Sequence, residues 1–170
     1  MEKGLTQIYW GNGKGKTTAA LGTALRACGS GLKVHLVQFI KDSSSAEIKS
    51  LENIPHFTHK QFPTQWINGE PTQEQIKKVS EAFQHLQNSL REDHDIIIAD
   101  EILYAVQLKL LKEEQVIELI KSKPENIELI LTGSHQPLPK IFAEVDLITE
   151  IKKHKHPFDK GIKARKGIEY

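Results

Sequence analysis

Residues 11–18 read Gly11-Asn12-Gly13-Lys14-Gly15-Lys16-Thr17-Thr18, and this glycine-rich stretch separates two segments of different character. The apolar residues 5–10 predict a strand before it, and the alanines and leucines of residues 16–28 predict a helix after it. A tight turn between a strand and a helix presents backbone N–H groups at the positive end of the helix, where phosphate oxygens bind. The stretch therefore predicts a phosphate-binding loop in an α/β fold.

The end of this stretch follows the Walker A pattern G-x-x-x-x-G-K-[S/T], with Gly15, Lys16 and Thr17 in its last three places. Lys16 is expected to place a positive charge on the phosphates, and Thr17 to offer a hydroxyl ligand to Mg²⁺. Trp10 stands where the pattern has its first glycine, and Gly11 follows one position later. The residues predicted to bind ATP are Gly11, Asn12, Gly13, Lys14, Gly15, Lys16, Thr17 and Thr18.

A second chemical signal lies at the end of the apolar run of residues 96–99, where Asp100 and Glu101 follow directly. An unbroken apolar run is typical of a strand that is covered on both faces in a parallel sheet. Ligands of such sheets lie at the carboxyl ends of the strands, so both acids are expected to face the loop. Asp100 and Glu101 are therefore candidate Mg²⁺ ligands beside Thr17. Two alternatives stay open: an acid that acts on an attacking water, as in a hydrolase, and a solvated strand end.

The rest of the chain alternates between strand and helix patterns. Further strands are predicted near residues 34–40, 56–60, 127–131 and 145–151, and helices near residues 46–51, 72–90, 113–122 and 141. The clearest helix begins at Thr72, which forms a capping-box pattern with Gln75. This alternation predicts a single α/β domain over residues 1–170, with a mostly parallel sheet flanked by helices. The additional strand near residues 56–60 favours a RecA-like P-loop NTPase fold.

Composition and charge restrict the class of protein. The 170 residues carry a net charge of +1, which gives no global field for nucleic acid or a membrane. Cys28 is the one cysteine, so a reducing cytoplasmic setting and a buried thiol are expected. No signal region or membrane span is visible. The basic residues 152–166 are interpreted as a solvated face that also contributes contacts to the triphosphate, with nucleic-acid binding as the less favoured alternative. His154 and His156 are interpreted as a chance pair.

With the loop and the acidic strand end established, the sequence resembles the P-loop ATP:corrinoid adenosyltransferases. The resemblance rests on five stretches: GNGKGKTTAALGTALRA (residues 11–27), VQFIK (37–41), IIIADEILYA (96–105), LTG (131–133) and KHPFDKGIKARKGIEY (155–170). It covers nearly the whole chain and is weakest between residues 42 and 92. The P-loop motif of this family also has its first glycine one position late, as at Gly11.

The resemblance implies a reaction in which Co(I) of a reduced corrinoid attacks C5′ of ATP and triphosphate is released. It further implies that ATP lies on the loop in a reversed sense, with C5′ exposed to the corrinoid. Lys16 and Glu101 take the catalytic roles in this interpretation. The charge of the leaving triphosphate is expected to be neutralised by Lys14, Lys16, the loop amides and Mg²⁺ held on Thr17 and Glu101.

The resemblance also assigns further residues and partners. Arg26 matches a family arginine that can reach the nucleotide, with a surface position as the alternative. Phe62 and Trp66 are the candidate corrinoid-binding aromatics, with packing in the fold as the alternative. The implied partners are a corrinoid (cobalamin, cobinamide or cobyrinic acid diamide), an electron-donating reductase and a second copy of the chain in a homodimer.

Two features depart from the family pattern. The first strand begins by Leu5, so the N-terminal helical extension of many relatives is expected to be missing, and Ser134 follows the LTG stretch where relatives often have arginine.

Two other functions stay open. One is a P-loop ATPase that forms ADP and phosphate, in which Glu101 acts on water, and the other is a binding protein without turnover.

Overall fold

The computed structural model describes residues 2–41, 46–64, 67 and 69–168. Its strands form one six-stranded sheet in the order β3-β2-β4-β5-β1-β6, and each pairing is parallel. The strands are β1 (Thr6–Trp10), β2 (Val34–Gln38), β3 (Phe57–Gln61), β4 (Ile96–Asp100), β5 (Glu128–Thr132) and β6 (Leu147–Glu150). The sheet predicted to be mostly parallel is thus parallel at every pairing in the described part of the chain.

The helices connect these parallel strands. They are α1 (Lys16–Gly29), α2 (Ala46–Leu51), α3 (Gln73–Ser89), α4 (Ile102–Gln107), α5 (Glu113–Ser122) and α6 (Pro139–Phe142), with a 3₁₀ turn at Pro157–Lys160. The capping box predicted at the start of α3 is present, since Gln75 N donates to Thr72 Oγ1 at 3.3 Å and Thr72 N to Gln75 Oε1 at 2.9 Å. None of the helices in the described residues is long and apolar enough to cross a membrane.

The sheet has an apolar core on each face, which explains the unbroken apolar run of β4. Ile97 and Ala99 belong to a core that includes buried residues of α3, α4 and α5. Ile96 and Ile98 belong to a second core, with buried residues of α1 and α2. Because side chains of a strand alternate between faces, covering both faces leaves no solvent-facing positions for polar residues along β4. Cys28 is buried in the second core, as predicted.

Helix α4 was not predicted from the sequence. It begins directly after the acidic pair, and Glu101 at its start has a φ of 65°. Its six residues are mostly buried, so they show none of the apolar and polar alternation that identifies a surface helix. The chain turns at Glu101 from β4 into α4, so Asp100 and Glu101 both lie at the end of the sheet.

A histidine cluster surrounds His35 of β2. His35 is 6% exposed, and its Nδ1 lies 2.7 Å from Thr58 Oγ1. Its Nε2 lies 3.0 Å from His85 Nε2, and its ring stacks on that of His94 with the centroids 4.9 Å apart. Burial, with His94 and His85 as further contributors, lowers the pKa of His35 to about 4. The imidazole is therefore neutral at neutral pH.

This cluster predicts a loss of stability in mild acid. The imidazole of the unfolded chain titrates near pH 6.5. Because the folded pKa is lower, the unfolded chain binds the proton more readily, so the stability that neutral His35 contributes is complete above about pH 6.5 and is lost as the pH falls toward 4. The groups around it are His85, His94, His59 and Glu92. The expected loss is about 3 kcal/mol, measured by urea unfolding across this pH range.

The His35→Asn variant should lose less stability over the same range, since the titrating group is gone. His56→Asn is the matched control, because His56 is exposed and has a φ of 68°, which asparagine tolerates. Equal acid sensitivity in wild-type protein and His35→Asn would contradict the assignment.

Candidate active site at the strand ends

The predicted phosphate loop connects β1 to α1. Gly11 and Gly15 have φ values of 115° and 119°, in the left-handed region that favours glycine. Lys16 Nζ donates to Gly11 O at 2.8 Å and to Gly13 O at 3.0 Å, so its ammonium lies within the curve of the loop. Burial lowers the pKa of Lys16, and the charges of Glu101 and Asp100 offset part of this effect. The loop therefore holds a half-buried cation at the start of α1.

Two loop glycines are needed because the segment after β6 comes very close. A Cβ on Gly11 would lie 2.4 Å from the carbonyl oxygen of Ile151, and a Cβ on Gly13 would lie 2.7 Å from the same atom. Gly13 N donates to Ile151 O at 2.7 Å, and Gly11 N donates to Ser134 O at 3.0 Å. The position of the loop is thus set by backbone that is distant in sequence. Ser134, noted as a departure from the family pattern, supplies one of these carbonyls.

Asn12 has a structural role at the outer side of the loop. Its Oδ1 accepts a hydrogen bond from Lys153 N at 2.9 Å, which joins the loop to the basic segment after β6. Among the predicted nucleotide ligands, Asn12 and Gly11 therefore support the loop from behind. The other predicted ligands in the loop line the adjoining cavity: Gly13, Lys14, Gly15, Lys16, Thr17 and Thr18.

The carboxylate of Asp100 is fully buried at the end of β4 and is surrounded by donors. Its Oδ1 accepts from Thr17 Oγ1 at 2.9 Å and from Thr132 Oγ1 at 2.7 Å. Its Oδ2 accepts from Gln38 Nε2 at 3.0 Å and lies 3.5 Å from Lys41 Nζ. Asp100 therefore joins α1 to the ends of β2, β4 and β5, and it holds the Thr17 hydroxyl from behind.

Glu101 lies beside this carboxylate and faces the open side of the site. Its backbone N donates to Thr132 Oγ1 at 3.0 Å. Gly133 makes room for it, because a Cβ there would lie 2.7 Å from Tyr104 N and 3.1 Å from Glu101 Oε2. Burial first, and then the charge of Asp100, raise the pKa of the Glu101 carboxyl, whereas Lys16 and Lys41 oppose the rise. A cation next to this carboxyl would favour its ionised form.

Two cavities meet at this point. The loop cavity has a volume of about 790 Å³ and runs from the phosphate loop along α1 to α2. The second cavity, of about 360 Å³, is lined by Ile40, Lys41, Thr64, Ile67, Glu101, Tyr104, Leu108 and His135. Both volumes lie in the range of small-molecule binding sites. Among the described residues, Lys41 and Glu101 are the two that line both cavities.

Of the remaining candidate residues, Arg26 and Phe62 do not line either cavity. Arg26 is exposed in the last turn of α1 and is not among the described residues that line the loop cavity. Phe62 is half-buried against the core, with its ring centroid 5.6 Å from that of His85. Trp66 lies outside the described residues. Thr64 and Ile67 from the same segment line the second cavity, so this segment borders the site.

Three polar residues of the site were not identified from the sequence. Gln38 ends β2, Thr132 ends β5, and Lys41 follows β2. A usable signal was their position at the carboxyl ends of strands, where ligands of parallel sheets lie. It could be applied only once the strand order placed β2 and β5 on either side of β4.

The oxygen ligands of the site fit Mg²⁺. The Thr17 hydroxyl and the Glu101 carboxylate are the hard oxygen donors that this ion prefers, and Asp100 orients Thr17. Clusters of three or more His, Cys, Asp or Glu side chains that could hold a metal do not occur in the described part of the chain. His156, one member of the histidine pair noted in the sequence, accepts a hydrogen bond at Nδ1 from Phe158 N at 3.2 Å.

Proteins of similar sequence establish the family. A family model described as ATP:corrinoid adenosyltransferase BtuR/CobO/CobP matches residues 2–170. The chain belongs to this family. The corrinoid adenosyltransferase of Escherichia coli K12 is 35% identical over 175 aligned positions, which cover 99% of this chain and 87% of that protein. Corrinoid adenosyltransferase CobA of Salmonella typhimurium has the same identity and coverage, and the Pseudomonas aeruginosa protein is 31% identical over 99% of this chain and 85% of its own length.

A solved structure supports the fold of this corrinoid adenosyltransferase family member. ATPases 2 and 3 of EssC from Geobacillus thermodenitrificans match with a TM-score of 0.54 and 14% identity, over 96% of this chain and 35% of that one. At this identity the likeness concerns the fold alone. The predicted α/β P-loop NTPase fold and the resemblance to the adenosyltransferases are both confirmed.

The donors around Asp100 predict that Asp100→Asn damages the site. An amide has one accepting edge, so its NH₂ group must face either the two hydroxyls or the Gln38 and Lys41 donors. Mispaired buried donors should lower the free energy of unfolding by about 1–3 kcal/mol. Binding of Mg·ATP, measured calorimetrically, should weaken by at least about tenfold because Thr17 loses its orientation.

The matched control is Asp93→Asn, which removes the same charge from an exposed pair with Lys33. It should leave the free energy of unfolding close to the wild-type value, because solvent screens this exposed pair. Wild-type stability and nucleotide affinity in Asp100→Asn would show that the buried carboxylate does not organise the site.

The contact between the loop and Ile151 predicts that Gly13→Ala displaces the loop. The new Cβ would meet backbone atoms of Ile151 and Lys152, which cannot rotate away. Overpacking of this kind costs about 1–3 kcal/mol, and Mg·ATP affinity should fall with it. Gly29→Ala is the control, because a Cβ at this exposed end of α1 meets nothing within 4 Å. Equal ATP affinity in both variants would refute the role of the close approach.

Proposed function

We propose that this protein transfers the 5′-deoxyadenosyl group of ATP to the Co(I) centre of a reduced corrinoid and releases triphosphate. The observation that carries the proposal is the family match over residues 2–170. The relatives that cover 99% of the chain are named corrinoid adenosyltransferases. The phosphate loop, the acidic strand end and the two adjoining cavities are consistent with a site for a nucleotide and a second substrate.

ATP binds with its phosphates on the loop and the start of α1. Lys16 exchanges its hydrogen bonds to Gly11 O and Gly13 O for phosphate oxygens, since an ammonium within the loop lies where the phosphates arrive. The backbone N–H groups at the beginning of α1 add their dipoles. Gly15, at φ 119°, turns the chain so that these N–H groups face the cavity.

Thr17 and Glu101 are the residues that would hold Mg²⁺ beside the phosphates. Mg²⁺, when bound, supplies positive charge that reduces the repulsion within the triphosphate. Asp100 acts through Thr17, because its Oδ1 accepts the Thr17 hydroxyl proton and leaves the oxygen lone pairs available on the other side. The chain's contribution is thus to fix the oxygen donors before ATP arrives.

The chemical step is a displacement at C5′. The cobalt electron pair forms the Co–C bond, and the bond from C5′ to the bridging oxygen breaks with both electrons going to the triphosphate. Because the Co(I) nucleophile carries no proton, the step needs no general base. What the protein supplies is alignment of the two reactants and stabilisation of the developing charge on the leaving oxygen.

ATP lies in the reversed sense in this proposal, with C5′ directed toward the second cavity. The supporting feature is that Glu101 lines both cavities and therefore marks the passage between them. The corrinoid approaches from the side of Thr64 and Ile67, since both residues border the second cavity. Phe62 and Trp66, on the same segment, remain the proposed corrinoid contacts.

The proposal includes two protein partners. A reductase must supply electrons, because the reaction consumes cobalt in the Co(I) state. A second copy of the chain forms a homodimer, for which the exposed Leu147 and Ile148 on the edge strand β6 offer apolar surface.

The reaction is tested by incubating the protein anaerobically with Mg·ATP and chemically reduced cob(I)alamin. Adenosylcobalamin should form, with one triphosphate per corrinoid, and Lys16→Ala should lower the rate by at least about 100-fold because it removes the loop cation. ADP and phosphate with unchanged corrinoid would instead identify an ATPase in which Glu101 serves water. ATP binding without either product would identify a binding protein.

A further inference from the structure

Lys41 is a second cation of the site, and it lines the loop cavity together with the residues of the phosphate loop. It follows β2, and its side chain is 26% exposed. Its Nζ lies 3.5 Å from Oδ2 of the fully buried Asp100 and 3.3 Å from Glu47 Oε1 on α2. Two carboxylates from different elements therefore hold the ammonium in place.

Lys41 lies at the boundary between the two cavities. Lys41 shares with Glu101 the property of lining both the loop cavity and the second cavity. Lys16 is held on the loop side by Gly11 O and Gly13 O. A triphosphate on the loop would therefore meet Lys16 within the loop and Lys41 at the opening toward the second cavity.

The ammonium of Lys41 is charged at neutral pH. Burial lowers its pKa, but the nearby carboxylates of Asp100 and Glu47 outweigh this effect, and the net change is a raised pKa. A lysine that is partly buried, charged and already oriented loses little freedom when it binds an anion. Such a group stabilises charge that develops next to it more strongly than a mobile surface lysine does.

We propose that Lys41 is a catalytic residue that binds the α-phosphate and stabilises the oxygen that leaves C5′. This inference rests on the proposed function. In the step, the Co–C bond forms, the C5′–O bond breaks, and the electron pair of that bond stays on the triphosphate oxygen. That oxygen is the atom between the phosphates and the adenosyl group, so in the reversed orientation it lies at the boundary that Lys41 lines.

The experiment compares Lys41→Ala, Lys41→Met and Lys41→Arg in single turnover with prereduced cob(I)alamin and saturating Mg·ATP. The first two remove the charge and should slow formation of adenosylcobalamin by about 100-fold, while the Kd of ATP changes by less than about fivefold. Lys41→Arg should retain more of the rate because it keeps the charge. Lys49→Ala is the matched control, since Lys49 is an exposed lysine of α2 outside both cavities.

Chemical rescue separates the charge from a structural role. Ethylammonium should raise the single-turnover rate of Lys41→Ala by at least about tenfold and leave wild-type protein and Lys41→Met unchanged, because the longer side chain fills the space. Thermal unfolding shows whether each variant folds. If Lys41→Ala does not fold, the rate of Lys41→Met, which keeps the aliphatic stem, shows whether the charge is needed.

The outcomes distinguish this inference from the proposed function. Wild-type protein without adenosylcobalamin formation would overturn both. Wild-type activity with an equal rate in folded Lys41→Met would overturn the role of Lys41 alone. A raised Kd for ATP with an unchanged rate at saturation would also overturn it, since Lys41 would then bind ATP without acting on the leaving oxygen.

Discussion

The buried carboxylate of Asp100 organises the site at the carboxyl ends of the strands. A carboxylate without contact with water is stable only when donors surround it, and here they come from α1, β2, β5 and the residue stretch after β2. Meeting this requirement brings Thr17, Thr132 and Gln38 to one point at the strand ends. The parallel sheet makes this possible, because β2 and β5 both flank β4 with their carboxyl ends on the same edge.

The site gains its polarity from this arrangement. Asp100 neutralises part of the charge of the cations around it, and Glu101 beside it faces the cavities with a raised pKa. Lys16 in the phosphate loop and Lys41 after β2 both line the loop cavity, so a polyanion that enters it meets ammonium groups from two parts of the chain. The result is a site in which oxygen donors and ammonium groups are oriented before substrates bind. That preorganisation suits a displacement whose main demand is the stabilisation of a charged leaving group.

Sequence reasoning was most accurate where a signal is local. The loop of residues 11–18, the capping box at Thr72 and the acidic end of β4 each depend on neighbours within a few residues, and the structure contains all three. The close approach of Ile151 to Gly11 and Gly13 could not be predicted from the sequence, because it joins segments that are far apart along the chain. Helix α4 was missed because it is short and buried. The role of Lys41 depends on strand order, which composition and periodicity do not specify.

In the proposed transfer, the bond that breaks during turnover joins C5′ to its oxygen. This bond cleavage can be followed with ATP that carries ¹⁸O at the bridging position between C5′ and the α-phosphorus, reacted anaerobically with cob(I)alamin and analysed by mass spectrometry of the phosphate products. Adenosyl transfer places the label on the triphosphate and leaves none on adenosylcobalamin. Label retained on an adenosine-containing product such as ADP would show that a phosphorus–oxygen bond had been cleaved, and that the protein does not transfer the adenosyl group.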